Sequence, residues 1–261
     1  MQSASHCRLC AGQASPVFEL PILGRYPTRY WRCGACKSLQ TDLPFWLDEA
    51  YASSLTFLDT FAGQRALNNL GATFLTAKLL GLKNIIDFGG NDGLLCRLLR
   101  DYGLNSYVVD KYAEPKYAQG FDAPNFSEPD LKLAFEVLEH LPNPSSDLDA
   151  VFSGGPKALL VSTVPYTGEG LDWFYLAPET GQHVFFYSPE ALRLLARQRG
   201  YETFFGGFYT LFVRPELGAR ARWASPLLHR HSVRLMRALL SLMPSRGVQR
   251  DFERMRAAAL K

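Results

Sequence analysis

Four of the five cysteines fall in two C-x-x-C pairs, Cys7/Cys10 in "CRLC" and Cys33/Cys36 in "CGAC", with 22 residues between Cys10 and Cys33. A two-residue gap lets both sulfurs of a pair face one point, and two pairs complete a tetrahedral four-thiolate shell with no open position for chemistry. The expected ion is a structural zinc on Cys7, Cys10, Cys33 and Cys36, holding together a segment of about 40 residues that is too small to build a core unaided. A redox role for one pair is the weaker reading, because two pairs this close together favour metal. In "GRYPTRYWRC", Tyr26, Arg29, Tyr30 and Trp31 are the contact candidates for whatever such a ribbon docks on: nucleic acid, a partner protein or its own catalytic domain.

A second stretch able to do chemistry is "NIIDFGGNDGLL", residues 84–95, an apolar run that ends in an acid and three glycines before a leucine-rich segment. A dinucleotide fingerprint counted from Gly89 needs glycine at 91 and 94, which hold Asn91 and Leu94, and no Gly-Lys-Ser/Thr follows as in a P-loop. The stretch resembles motif I of the class I S-adenosylmethionine-dependent methyltransferases, carried here by Asp87, Gly89, Asn91 and Gly93, with Asn91 departing from the commonest pattern. The resemblance implies that Asp87 faces the cofactor's ammonium while Gly89 and Gly93 let the backbone approach the methionine part. Asp110, at the end of "YVVD" and 17 residues beyond Gly93, stands where an acid takes the ribose hydroxyls by paired hydrogen bonds; the plainer reading is a strand-end turn residue.

"DLKLAFEVLEHLPNP", residues 130–144, is similar to the fourth strand and following loop of the same enzymes. That likeness implies Phe135 and Glu136 beside the sulfonium end, and Glu139 and His140 at the start of the next helix. In some related O-methyltransferases the matching residues hold a divalent cation, so Glu136, Glu139 and His140 are candidates for one; the alternative is that Glu139 and His140 order the loop. Downstream, "YTGEGLDWFYLAPETGQHVFFYSPEAL" is a long loop before a capped helix, the kind of place where acceptor pockets form. It is similar to a segment of methyltransferases of sugar and surface-glycan pathways. Methyl transfer to a hydroxyl needs a base, and the expected one is His183, oriented by Glu179 and with His140 close by. Trp173, Tyr175 and Gln182 are expected to line the pocket, with a sugar ring stacked on Trp173 or Tyr175. A loop-capping role is the plain alternative for His183.

These residues need a scaffold that brings them to one edge. Apolar runs at "NIIDF", "NSYVVD", "LKLAF", "KALLVST" and "FYTLFVR" read as strands, and they alternate with helical patterns at residues 57–82, at "LLCRLLRDYG" and at "SPEALRLLARQRG" with its Ser188 cap. The expected fold is α/β: a doubly wound, mostly parallel, Rossmann-like methyltransferase sheet over 46–213, a small zinc ribbon over 1–45 and a basic helical tail over 214–261. About 20 residues between Asp110 and Asp130 are too few for helix, strand and helix, so the adenine-side wall must be trimmed, with Tyr112 and Asp122 as candidates to serve the adenine.

The chain has 261 residues, 47% of them hydrophobic, and a net charge of +3, which fits a globular protein. From Arg214 onward eleven Lys/Arg face three Asp/Glu, so the tail carries +8 and the rest −5. The tail reads as an amphipathic basic helix that lies on an anionic membrane surface, pairs with a partner, or packs on the body. The opening "MQSASHCRLC" lacks the pattern of a signal peptide, and no stretch approaches the roughly 20 apolar residues of a membrane span. The expected setting is cytoplasmic, with peripheral attachment at the inner membrane surface as an option. The sequence therefore points to an S-adenosylmethionine-dependent methyltransferase that O-methylates a small hydroxylated acceptor such as a sugar. The rival readings are an RNA methyltransferase that uses ribbon and tail for binding, against which no Asn-Pro-Pro-Tyr-type motif is present, and a non-catalytic cofactor-binding subunit.

Overall fold

The N-terminal hairpin turns at Leu23 and Gly24, whose φ values of 53° and 71° form the left-handed pair that a tight hairpin needs. It joins β1 (Ala14–Ile22) to β2 (Tyr26–Cys33), and β3 (Leu39–Thr41) pairs with β2. The structure, a computed structural model, describes residues 5–52 and 59–259. A short α1 (Leu47–Ala50) leads to α2 (Ala62–Leu80), which ends as expected at Gly81 with φ 72°. The helix expected from residue 57 thus begins later, and its Phe57 and Leu58 lie outside the described residues.

The body then alternates as anticipated: β4 (Asn84–Phe88), α3 (Leu94–Asp101), β5 (Asn105–Val109), β6 (Leu131–Phe135), α4 (Pro144–Phe152) and β7 (Ala158–Ser162). A two-residue β8 (Phe185–Phe186) precedes α5 (Pro189–Gln198), β9 (Glu202–Gly206) and β10 (Tyr209–Val213). The central sheet has the order β5-β4-β6-β7-β10-β9. Its first four strands are parallel, whereas β10 runs antiparallel to both neighbours. Every residue of β7 and of β10 is buried, as strands covered on both faces by helices require. One layer packs α2 and the tail against the sheet, and the other packs α4 and α5.

Several expectations are corrected. The edge strand β9 was not foreseen, because its half-buried residues lack a long apolar run. Glu139 does not open a helix, nor does His140: both lie in a 3₁₀ turn, Leu138–His140, because Pro142 forces Leu141 into an extended conformation and Pro144 starts α4. The tail is not one helix but three, α6 (Gly218–Ala224), α7 (Arg230–Ser241) and α8 (Arg246–Ala259), with Pro226 and Pro244 in the breaks. No helix among the described residues is long and apolar enough to cross a membrane.

All three tail helices pack on the body. At Gly71 of α2 a Cβ would stand 2.9 Å from the Val233 carbonyl oxygen, so the missing side chain lets α7 approach. Gly247 of α8 lies against the Arg100 carbonyl in the same way. Arg100 then grips Asp251 through two parallel bonds, Nε to Oδ2 at 2.6 Å and Nη2 to Oδ1 at 2.8 Å, with Arg97 adding a third at 2.8 Å. The Arg100 guanidinium also sits 3.6 Å above the Phe121 ring, and Arg254 lies over Tyr107 and Phe121. Residues 111–130 carry neither helix nor strand, as the trimmed wall requires, and α8 is the element that packs over them.

Arg100 and Asp251 are each 2% exposed, so removing one strands a buried charge. Asp251→Ala is expected to lower unfolding stability by about 3–5 kcal/mol. Asp101→Ala, which removes the half-exposed partner of Arg97, is expected to cost within about 1 kcal/mol, both measured by denaturant unfolding.

Candidate active site

Chain reversal at the end of β4 is built from residues that tolerate left-handed backbone: φ is 71° at Gly89, 50° at Asn91 and 81° at Gly93. A Cβ at Gly89 would meet Val137 at 2.7 Å, one at Gly93 would meet Ala118 at 2.8 Å, and one at Gly90 would overlap the Asp87 carboxylate. Gly90 is therefore as constrained as the two glycines the motif singled out, and its place in the Gly89–Gly90 pair was the signal. Asp87 lies beneath this cradle at 2% exposure, and its Oδ2 has no hydrogen-bond partner among the described residues. Burial, with the charge of Asp110 second, pushes its carboxyl up to about 7. An orphaned acidic oxygen under a glycine cradle is what an ammonium-bearing ligand fits.

Asp110 corrects an expectation. Its Oδ1 accepts from the N–H groups of Tyr112 (2.7 Å) and Ala113 (3.0 Å), and its Oδ2 accepts from that of Asn91 (2.9 Å). The carboxylate clamps the first loop to the end of β5, which leaves too few acceptor positions for paired bonds to a diol. Of the adenine-side candidates, Tyr112 is 70% exposed and stacks on Tyr51 with centroids 5.7 Å apart. Asp122 lies exposed in the irregular stretch.

At the end of β6, Phe135 packs edge-on against Tyr209, and Glu136 takes a left-handed φ of 52°. Such backbone strain persists only where surroundings fix it. Here the Glu136 N–H donates to Ser162 Oγ (3.1 Å), and that hydroxyl donates back to Glu136 Oε1 (2.7 Å). Next to it Glu139, fully buried, accepts a hydrogen bond on Oε1 from the Tyr175 hydroxyl, while its Oε2 has no partner among the described residues. Burial, and then the neighbouring Glu136, raise the Glu139 carboxyl well above the usual range.

Glu139, His140 and His183 each offer a ligand atom within 4.8 Å of the others. The rings of His140 and His183 cross edge-to-face at 5.0 Å. His183 Nδ1 lies 2.7 Å from the Tyr175 carbonyl, which can only accept, so Nδ1 carries the proton and Nε2 is the free acceptor. His140 Nδ1 is bonded to the Tyr51 hydroxyl at 2.5 Å. Burial lowers His183 to about 4 and takes His140 well below its ordinary value, so both rings are neutral. Two neutral imidazoles and a carboxyl group that would give up its proton on binding form a donor set that fits a divalent cation. Glu136, the further candidate, is tied to Ser162 instead. Arg65, paired with Asp59 at 2.5 Å, lies close enough to bias both histidines. Neither Arg65 nor Tyr51 carried a sequence signal.

On the acceptor side three expectations change. Glu179 does not orient His183; the left-handed turn at Ala177 carries it outward, where it is exposed and influences Tyr30. Tyr175 is 5% exposed, so its ring is packing and its hydroxyl a support for Glu139, leaving no open face for a sugar. Gln182 is turned to the Ala50 carbonyl (2.8 Å). Trp173 is partly buried between Tyr166, Tyr175 and Phe186.

The ribbon stands directly behind this cluster. Its four sulfurs lie together, with Cys7–Cys36 and Cys10–Cys33 both at 3.6 Å. A tetrahedral shell with Zn–S bonds of about 2.3 Å has edges of about 3.8 Å, so the set fits zinc. β3 pairs with β8 of the body, giving the sheet β1-β2-β3-β8. Val184 N–H donates to the Glu139 carbonyl (2.9 Å), and the Val184 carbonyl accepts from Thr41 N–H (3.1 Å) and Arg8 (2.5 Å). Ser188, the α5 cap, donates to the Cys36 carbonyl at 2.5 Å. The ribbon thus docks on its own catalytic domain, and the supposed contact residues serve it internally. Tyr30 is fully buried, Trp31 donates to Asp42 (2.9 Å), Arg29 pairs with Asp42 and Tyr26 bonds Glu49.

No curated protein matches the chain. Among solved structures it is similar to magnesium protoporphyrin IX methyltransferase from Synechocystis, with 17% identity over 64% of this chain and 92% of that one and a TM-score of 0.45. It is also similar to the 1,6-didemethyltoxoflavin-N1-methyltransferase of Burkholderia thailandensis, with 14% identity over 76% of this chain and 97% of that one and a TM-score of 0.45. The methyltransferase domain family matches residues 59–204, a span that takes in the glycine cradle, the histidine cluster and α5, and the chain belongs to that family.

Proposed function

We propose that this methyltransferase uses S-adenosylmethionine to methylate a hydroxyl of a small acceptor, with a nucleotide sugar or glycan sugar as the class favoured by the loop before α5. The observation that carries the reading is the pairing of two sites at the carboxyl ends of adjacent strands. The cradle over Asp87 closes β4, and the cluster of Glu139, His140 and His183 follows β6, its parallel neighbour. When bound, S-adenosylmethionine supplies an electrophilic methyl group on a sulfonium. Asp87 holds the ammonium end, Gly89, Gly90 and Gly93 admit the backbone to it, and the one acceptor position left on Asp110 Oδ2 suits a ribose hydroxyl.

On the acceptor side, His183 presents an unprotonated Nε2, and the Tyr175 carbonyl fixes that tautomer. The ring accepts the hydroxyl proton as the methyl group moves, while buried Glu139 holds Tyr175, whose carbonyl orients His183, and His140 packs against the His183 ring. The same donor set supports an alternative to the histidine base: a divalent cation on Glu139, His140 and His183 would take up the His183 lone pair and would itself lower the acceptor hydroxyl's pKa. The four cysteines would hold zinc, and that ion would keep the ribbon strand pressed against β8.

Two outcomes are expected. Because Asp87 titrates near 7, it is ionised above that pH and neutral below it; cofactor affinity measured by calorimetry should therefore weaken as pH falls through about 7. Asp87→Asn should bind about tenfold more weakly and lose that dependence, and unchanged binding would contradict the assignment. His183→Ala should reduce turnover by about 10²–10⁴-fold while cofactor affinity stays within about twofold, as read by single-turnover kinetics with radiolabelled methyl donor. Equal losses in both quantities would remove His183 from the chemistry.

A further inference from the structure

α7 carries two apolar stripes, and the body uses only one. Val233, Met236 and Leu240, spaced for one helix face, pack toward α2. Leu235, Leu239 and Leu242, at the same spacing on another face, are 62%, 45% and 82% exposed. α8 repeats the arrangement: Gly247 and Asp251 face α3, while Val248 and Phe252 stay 50% and 58% exposed. Large apolar side chains in solvent at regular helical spacing mark a surface that meets something apolar.

The side of α7 between its two stripes is cationic. α7 holds Arg230, Arg234 and Arg237 and no acid, and α8 begins with Arg246 and continues with Arg250. Behind the exposed stripe, α2 and α7 enclose an open cavity of about 550 Å³ lined by Leu67, Leu70, Tyr102 and Leu240, with Arg234 and Arg237 on its wall. An apolar cleft with two guanidinium groups beside it has the chemistry of an amphiphile site: hydrocarbon inside, phosphate at the rim.

We propose that α7 and α8 seat the protein on the surface of an anionic bilayer. The leucine stripe enters the boundary between headgroups and acyl chains, and Arg234 and Arg237 take the phosphate of one lipid at the mouth of the α2–α7 cavity. A basic helix with a separate apolar face is the form that lies in a membrane interface. Each arginine near an anionic leaflet adds attraction that salt screens. RNA would meet the same arginines and leave the leucines in water, so the exposed stripe favours lipid.

The test floats the full-length protein with vesicles of phosphatidylcholine alone and with vesicles containing phosphatidylglycerol. The wild type should rise with the anionic vesicles only. The double variant Leu235→Glu, Leu239→Glu and the single variant Arg234→Glu should each lose about tenfold or more of that binding, with unchanged melting temperatures. All three substituted residues are exposed, so folding is not at stake. Absence of the wild type from the anionic fraction overturns the proposal. So does anionic binding that survives both leucine changes or is displaced by a short RNA, since that marks adsorption of a basic surface to any polyanion.

Discussion

The contact on which the candidate site depends is the meeting of β3 with β8. Two residues of pairing are a small interface, but Val184 beside them gives its N–H to the Glu139 carbonyl and its carbonyl to Thr41 and Arg8. Glu139 on one side and His183 on the other are therefore both one residue or one hydrogen bond from a strand that the ribbon holds. A carboxylate buried with an orphaned oxygen keeps its geometry only if its surroundings are rigid. The ribbon supplies that rigidity from outside the methyltransferase sheet.

The β5 side of the six-stranded sheet has a matching arrangement. A doubly wound sheet covers its faces with helices, and residues 111–130 supply none. The covering comes from the far end of the chain, where α8 brings Asp251 to Arg100 and lays Arg254 over Tyr107 and Phe121. Ala118, packed against Gly93, then links this wall to the cradle. Ribbon and tail thus complete the methyltransferase domain from two sides, the first at the Glu139–His183 cluster and the second beside the glycine cradle.

What was legible in the sequence follows from what is local. The glycines over Asp87 could be read because backbone approach demands them at fixed positions, and the cysteine pairs because metal geometry fixes their spacing. Strands β4 to β7 showed as apolar runs because both of their faces are covered. The partner of His183 was not legible: Glu179 is nearer in type to what a histidine needs, yet a left-handed Ala177 turns it away and leaves a backbone carbonyl, which no side-chain pattern reveals. Tyr51 and Arg65 reach the cluster through tertiary packing alone, and Asp110 was read for a ligand when backbone amides had the stronger claim.

The ribbon braces the cluster of Glu139, His140 and His183, while the glycine cradle over Asp87 stands without it. Amide hydrogen exchange on the full chain before and after zinc chelation tests this most directly. Faster exchange is expected across residues 183–188 and 138–141 after chelation, with β4 and α3 still protected. Unchanged protection at 183–188, with the ribbon itself opened, would contradict it.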